Sequence, residues 1–496
     1  MPVLETKGAL SAQGYGLTTA PPSNYIEDVF STWLYTGNGS TQTITNGIDL
    51  ASQGGLVWIK RRDSGFLGNN ELQNTVAGIG NVLYSNTTDA NLALNRITVN
   101  SSGFNLLNAS ANTNASGGTY ASWTFRKQPK FFDIVTYTGT GSNRTIAHNL
   151  GSVPGCIFVK RTDATANWQV YHRSLANTQY MVLNDTAAVA TGATRWNSTT
   201  PTSAVFSVGT DTTVNASGGT YVAYLFAHDA GGFGNAGTDN VISCGSFTTD
   251  ASGNATVTLG YEPQWVMVKP SSTSESWYIV DSMRGLIVNP GLSDNVLVPN
   301  TTAAETGRAI IEPTSTGFIL APGGWLPSSA TSIYIAIRRG PMKTPTVGTS
   351  VYNGIAYTGD GVNNRLLNNQ FVTDLIIDTS RSPANIDQCV IDRLRGAKQI
   401  LITRATSAEQ TVGTNFYVNG FDSNNGVFLG GSGGLNGSAT TYIQWAFRRA
   451  PGFFDEVCYT GTGANRTINH NLGVVPQLMI VKSRNEPYEW AVYSSS

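Results

Sequence analysis

Residues 136–154 read TYTGTGSNRTIAHNLGSVP, and residues 458–476 read CYTGTGANRTINHNLGVVP. Each copy is preceded by FFD, at 131–133 and 453–455. Near-identical stretches so far apart make the chain a tandem array, and an array of polar, strand-rich units is a scaffold or adhesin far more often than a single catalytic domain.

Weaker markers fill the gaps. A strand-like segment from Tyr120, TYASWTFRK, returns as TYVAYLFAHD from Tyr221, IYIAIRRG around Tyr334 and TYIQWAFRR from Tyr442, at spacings of roughly 100 to 115 residues, an ordinary domain length. A YTG turn stands at Tyr35, Tyr137, Tyr357 and Tyr459, and after it comes an apolar strand ending in Lys60, Lys160, Lys269 or Lys482. The third unit replaces YTG by SFTTDASGN near Phe247, and the fourth reads DLIID, with Asp378 in the lysine's place. These markers divide the chain into an arm over 1–29, units over 30–130, 131–237, 238–349 and 350–452, and an incomplete fifth unit over 453–496.

Period-two alternation dominates. Ile443, Trp445 and Phe447 share one strand face, as do Ala121, Trp123 and Phe125, and Val222, Tyr224 and Phe226. A strand whose same face is always apolar packs that face against another layer, since a one-residue slip would put Trp and Phe in water. The chain is therefore expected to be all-β: a tandem array of two-sheet, jelly-roll-like sandwiches, each with this triplet turned into its own core. Short junctions, RKQPKFFD at 126–133 and RRAPGFFD at 448–455, predict stiff joints in a rod of beads. NIDQCVIDRLRG at 385–396 is the best helix candidate, with DSMRG at 281–285 as a shorter counterpart.

Charged residues are 12% of the chain, well under the usual share, and Ser, Thr, Asn and 54 Gly replace them, as in turn-rich β proteins. A formal net charge of −1 leaves no electrostatic footprint for nucleic acid or an anionic membrane. No stretch approaches the roughly 18 apolar residues of a membrane span, and the N-terminus lacks the pattern of a signal peptide, so neither nucleic acid nor membrane insertion is expected. The four cysteines, at 156, 244, 389 and 458, show no paired placement within units and read as free thiols. Asn-x-Ser/Thr sequences at 38, 114, 197 and 215 read as turn chemistry.

No HExxH, CxxC or P-loop occurs, the glycine-rich LGGSGGLNGS at 429–438 reads as a hairpin tip, and the acids form no recurring pair, so no catalytic residue, metal or cofactor is expected. His148 and His470 share one repeat position, HNLG, which points to turn capping. Trp196 and Trp325 lie in turn-rich sequence and are the only candidates for stacking on a glycan ring; the alternative for both is a tryptophan tucked under its own hairpin.

The runs ETKGALSAQGYGL and NYIEDVFSTWLYTGNGSTQTITNGIDL (24–50), SWTFRKQPKFFD, and above all the YTGTG–NRTI–HNLG block resemble tail fibre and related structural proteins of marine phages, notably those infecting cyanobacteria. The resemblance implies a virion protein and not an enzyme: residues 1–29 attach to the tail or an adaptor, the units form a shaft, and the subunit self-associates, commonly as a homotrimer. Host surface glycan is a possible partner, and a glycan-binding adhesin is the competing reading. The fifth unit stops before the strand carrying its aromatic triplet, so the natural polypeptide is expected to continue beyond Ser496.

Overall fold

The computed structural model describes residues 24–65, 68–288, 294–320, 324–382, 387–431 and 433–495; all but a few residues of the expected arm lie outside them. Among the described residues no helix is long and apolar enough to cross a membrane. The chain is an all-β tandem array.

Unit 1 shows the plan. It holds β1 (Phe30–Thr36), β2 (Gln42–Thr45), β3 (Gly55–Arg61), β4 (Glu71–Asn74), β5 (Asn81–Tyr84), β6 (Leu92–Ala93), β7 (Ile97–Asn100), β8 (Gly103–Leu106) and β9 (Thr119–Arg126). A large antiparallel sheet runs β1-β9-β3-β4-β5-β6, and a small one runs β2-β8-β7. Ile44, Ile97, Phe104 and Leu106 of the small sheet pack on Tyr35, Val57, Ile59 and Tyr120 of the large one, closing a sandwich. Units 2 and 4 repeat the six-stranded large sheet, and the corresponding sheet of unit 3 has four strands.

The YTG marker is a lock inside the sandwiches of units 1, 2 and 4. Tyr35 stacks on Tyr120 with ring centroids 5.1 Å apart, Tyr137 on Tyr221 at 5.0 Å and Tyr357 on Tyr442 at 5.1 Å. The following glycine is obligatory because the loop before the last strand lies against it: a Cβ on Gly37, Gly139 or Gly359 would sit 2.3, 2.2 or 2.1 Å from a backbone carbonyl oxygen. Asn114 and Asn215, two of the glycosylation-like asparagines, are fully buried in that loop, where their Oδ1 atoms accept the backbone N–H of Asn38 and Thr140.

The aromatic triplet faces the other way from the sequence expectation. Ala121, Trp123 and Phe125 lie on the side of the large sheet away from their own small sheet, and so do Val222, Tyr224 and Phe226. They meet in one core shared by units 1, 2 and 3. Phe125 is its hub, with Phe30 at 5.0 Å, Phe226 of unit 2 at 5.7 Å and Trp265 of unit 3 at 6.0 Å. Ile333, Ile335 and Ile337 complete it from the last strand of unit 3. Three large sheets thus pack face to face within one chain, which replaces the string of separate beads; period two told which residues share a face but not which layer that face meets.

Unit 4 has the same sheet without the same company. Phe447 and Trp445 stand in register where Phe125 and Trp123 do, yet both are only half-buried. The expected helix at 385–396 is also corrected. Residues 383–386 lie outside the description, Cys389–Asp392 is a strand, and the segment from Asp392 to Gly396 is a turn tied by an Asp392–Arg395 ion pair. DSMRG at 281–285 makes the same turn through Asp281 and Arg284. In each, an arginine three residues after the aspartate reaches back to the strand carbonyls, a bond a helix would use otherwise.

Candidate functional site

The chemistry that recurs between units is a seat, and the strand-end lysine occupies it. Lys160 of unit 2 donates from Nζ to the carbonyl of Thr88 in unit 1 at 2.9 Å. Lys269 of unit 3 makes the same bond to Thr186 of unit 2 at 3.1 Å. Lys60 of unit 1 makes it to Thr301 of unit 3 at 2.9 Å, which closes the three units into a ring. Lys482 of unit 5 repeats it on Thr406 of unit 4 at 2.9 Å.

A second donor follows the lysine into each seat. The indole Nε1–H of Trp168 donates to Tyr84 at 2.9 Å, that of Trp277 to Val182 at 2.9 Å and that of Trp490 to Ile402 at 3.2 Å, in each case the last residue of a strand in the preceding unit. Unit 1 has Asn70 at this place, and its Nδ2 donates to Pro299 at 2.7 Å and Thr301 at 3.0 Å. Backbone bonds pin the loops: Asn91 N–H to Thr162, Val189 to Ser271, Glu305 to Arg62 and Glu409 to Arg484. In the three seats of units 1 to 3 the lysines are buried, so their donors meet carbonyls that burial would otherwise leave without a partner; the seat between units 4 and 5 is more open.

Two seats carry an added ion triad. Glu305 accepts from Arg62 of unit 1 at 2.8 Å and Arg284 of its own unit at 3.1 Å. Glu409 does the same for Arg484 of unit 5 at 2.7 Å and Arg395 at 2.9 Å. The seat lysines feel their burial: it pulls the Lys60 ammonium down to about 7, with Arg284 adding to the effect, and Lys160 and Lys269 down to about 8.

Asp378 is not the fourth unit's substitute for this lysine. Thr379 pairs with Ile443 as Lys60 pairs with Ala121, so the threonine holds the lysine position. Asp378 points into its own sandwich, where it accepts from Tyr357 Oη at 2.9 Å and Gln444 Nε2 at 3.0 Å, and burial pushes its carboxyl up to about 8.

Unit 4 meets the ring through buried charge. Arg449 grips Glu262 of unit 3 through two bonds of 2.8 and 2.7 Å and Asp455 of unit 5 through one of 2.6 Å. Asp374 lies 2.9 Å from Arg339 and 3.5 Å from Arg393. Burial alone would raise the Asp374 carboxyl, but Arg339, Arg393 and Arg449 together hold it below the usual range.

The candidates from sequence separate. Trp196 is 2% exposed, packed edge-on to Tyr171 and donating to the Gln179 carbonyl at 3.1 Å, so neither ring face is open to a sugar. Trp325 is 51% exposed, but the Arg308 guanidinium lies 3.7 Å from its ring centroid and covers one face. His148 and His470 each accept a backbone N–H two residues on through Nδ1, from Leu150 and Leu472. The four cysteines are free. Among the described residues no cluster of His, Cys, Asp and Glu is arranged to hold a metal ion. A cleft of about 390 Å³ between units 1 and 2, lined by Asn74, Asn81, Asn91, Tyr137 and Thr162, carries no charged side chain. Sequence reasoning found the seat lysines but missed their partners, although NTTDAN at 86–91, NDTAAV at 184–189 and NTTAAE at 300–305 form a recurring signal.

A family model described as a domain of unknown function, DUF7483, matches residues 22–341 and 348–496. The chain belongs to this family. The first DUF7483 match spans the closed ring of units 1 to 3, and the second spans unit 4 and the strands of unit 5. The FFD and YTGTG block falls once within each matched stretch. The comparison with curated proteins gives no match.

Proposed function

We propose that the chain is a structural protein of a phage virion, a tail fibre subunit whose residues 1–29 attach to the tail or an adaptor and whose sandwich units form the shaft. The resemblance of the YTGTG–NRTI–HNLG block to such proteins motivates the reading. The observation that carries it is the repeated seat, because a lysine and an indole or amide locked onto the neighbouring unit at four places make a stiff connector. Stiffness is what transmits force and position from a tail to a distant contact. Units 1 to 3 bury their aromatic faces on one another, so the threefold packing such shafts use arises within one chain there.

The test is particle composition. Particles assembled with a chain lacking residues 1–29 should lose the subunit while the truncated chain itself folds; normal incorporation would refute the attachment role, and absence of the full chain from purified particles would refute the reading as a whole. A second reading, a glycan-binding adhesin, is favoured by the uncharged Asn, Thr and Tyr lining of the cleft between units 1 and 2. A glycan array with the Asn81→Ala variant as comparison separates the two.

A further inference from the structure

Two positions of each seat form a wedge between neighbouring units, and one seam lacks it. Asn74, His172, Asp281 and Asp392 hold one register position, opposite Leu56, Cys156, Trp265 and Leu375. Three residues after each stand Ala77, Leu175, Arg284 and Arg395, which form the first wedge position. The second is the loop residue whose backbone N–H is pinned on the neighbouring unit: Asn91, Val189, Glu305 and Glu409. Between units 2 and 3 the two positions hold Leu175 and Val189, both packed against the shared core. Between units 3 and 1 they hold Arg284 and Glu305, joined at 3.1 Å, and between units 4 and 5 Arg395 and Glu409, joined at 2.9 Å. Between units 1 and 2 they hold Ala77 and Asn91, and there the seam opens into the cleft of about 390 Å³ that both residues line. An apolar pair or an ion pair fills the other seams; a methyl group and a short amide leave this one open.

We propose that this cleft is a binding site for a neutral sugar. The proposal rests on the second reading above, to which it gives a place and a ligand class. Asn91 Oδ1 is enclosed in the wall and meets no donor among the described residues, while its Nδ2 donates to Asn81 Oδ1 at 2.9 Å. An enclosed acceptor left without a donor is destabilising, and a ligand hydroxyl supplies the missing bond. On the opposite wall Thr136, Thr138 and Thr220 of unit 2 are exposed. Amides and hydroxyls both donate and accept, as the hydroxyls of a sugar do. No lysine, arginine or acid lines the cleft, so a sulfate, phosphate or carboxylate entering it would leave water without a counter-ion. Its volume lies at the low end of small-molecule sites, which suits a mono- or disaccharide.

The experiment is an array of neutral, sialylated and sulfated sugars, read with the full chain and with Ala77→Leu/Asn91→Val, which installs the apolar pair of the seam between units 2 and 3. Wild type is expected to hold neutral sugars and not their acidic forms. Titration with the neutral sugar held best should give a dissociation constant about tenfold higher or more in the double variant. Because the double variant also alters packing at the seam, Asn91→Ala gives a second reading: it removes the enclosed acceptor, keeps the backbone bond to Thr162 and should weaken binding in the same direction. A double variant or an Asn91→Ala chain that binds as wild type does would overturn the site and leave the adhesin reading standing. Binding of acidic sugars alone would overturn the ligand class. A wild-type chain that holds no sugar on the array would overturn the site and the adhesin reading together.

Discussion

Lys60 and Thr301 lie 241 residues apart in the chain and are joined by a 2.9 Å hydrogen bond from the lysine Nζ to the threonine carbonyl. That contact turns a linear array into a ring, because units 1 and 2 and units 2 and 3 are already joined by the same bond. The lysine is buried and its ammonium also donates to Asn70 Oδ1 at 2.7 Å, so the closing bond is shielded from water.

Lys60→Ala should open the seam between units 1 and 3. It leaves the Thr301 carbonyl and Asn70 amide short of a partner, at a cost of about 1–3 kcal/mol. Hydrogen exchange should rise in residues 299–305 with little change at the 184–189 loop. Lys482→Ala, which touches only the unit 4–5 seat, should leave the ring's exchange unchanged; equal effects from both substitutions would contradict a closed ring.

Trp123 and Trp445 hold the same register position in different surroundings, and truncation should separate them. Trp123 is fully buried and its Nε1–H donates to Asp281 of unit 3 at 3.1 Å. Trp123→Ala should cost about 3–5 kcal/mol and lower the melting of units 1 to 3 together. Trp445→Ala should cost less than that in calorimetry, since its ring is already partly exposed.

Arg449 couples the two modules. Its guanidinium is 3% exposed as a residue and bridges Glu262 and Asp455, so Arg449→Ala strands two buried carboxylates. The expected loss is about 3–5 kcal/mol, seen as earlier unfolding of unit 4. Arg449→Met should lose no less, because the stranded acids and not the missing volume set the cost. A methionine variant as stable as wild type would show that packing governs this boundary.

His172 makes the ring acid-sensitive. Its Nδ1 accepts the Ser174 N–H, its Nε2 lies 3.1 Å from the Tyr334 carbonyl of unit 3, and burial pulls the ring down to about 4. A histidine near 6.5 when unfolded and near 4 when folded leaves the folded state with fewer protons between those values. Its contribution is therefore complete above about pH 6.5 and is lost as pH falls toward 4, reaching ~3 kcal/mol in all. The difference in unfolding free energy between wild type and His172→Gln should slope over that window and be flat above it; a flat difference throughout would refute the assignment.

The sequence alone determined the strand alternation, the unit length and the recurrence of the YTG marker. Alternation of Tyr120, Ser122 and Thr124 with Ala121, Trp123 and Phe125 is a property of backbone geometry, whereas the need for glycine at 37, 139 and 359 comes from a loop about 78 residues further on. Tertiary structure alone decided where the apolar faces go. Trp123 and Trp445 read identically as sequence, yet one is enclosed by two other sheets and the other is half open, because burial depends on which unit lies opposite and not on strand period. The same holds for the lysines. Lys60 was visible as the end of a strand, but its partner is a carbonyl far along the chain, and a backbone carbonyl carries no side-chain signature that a sequence can display.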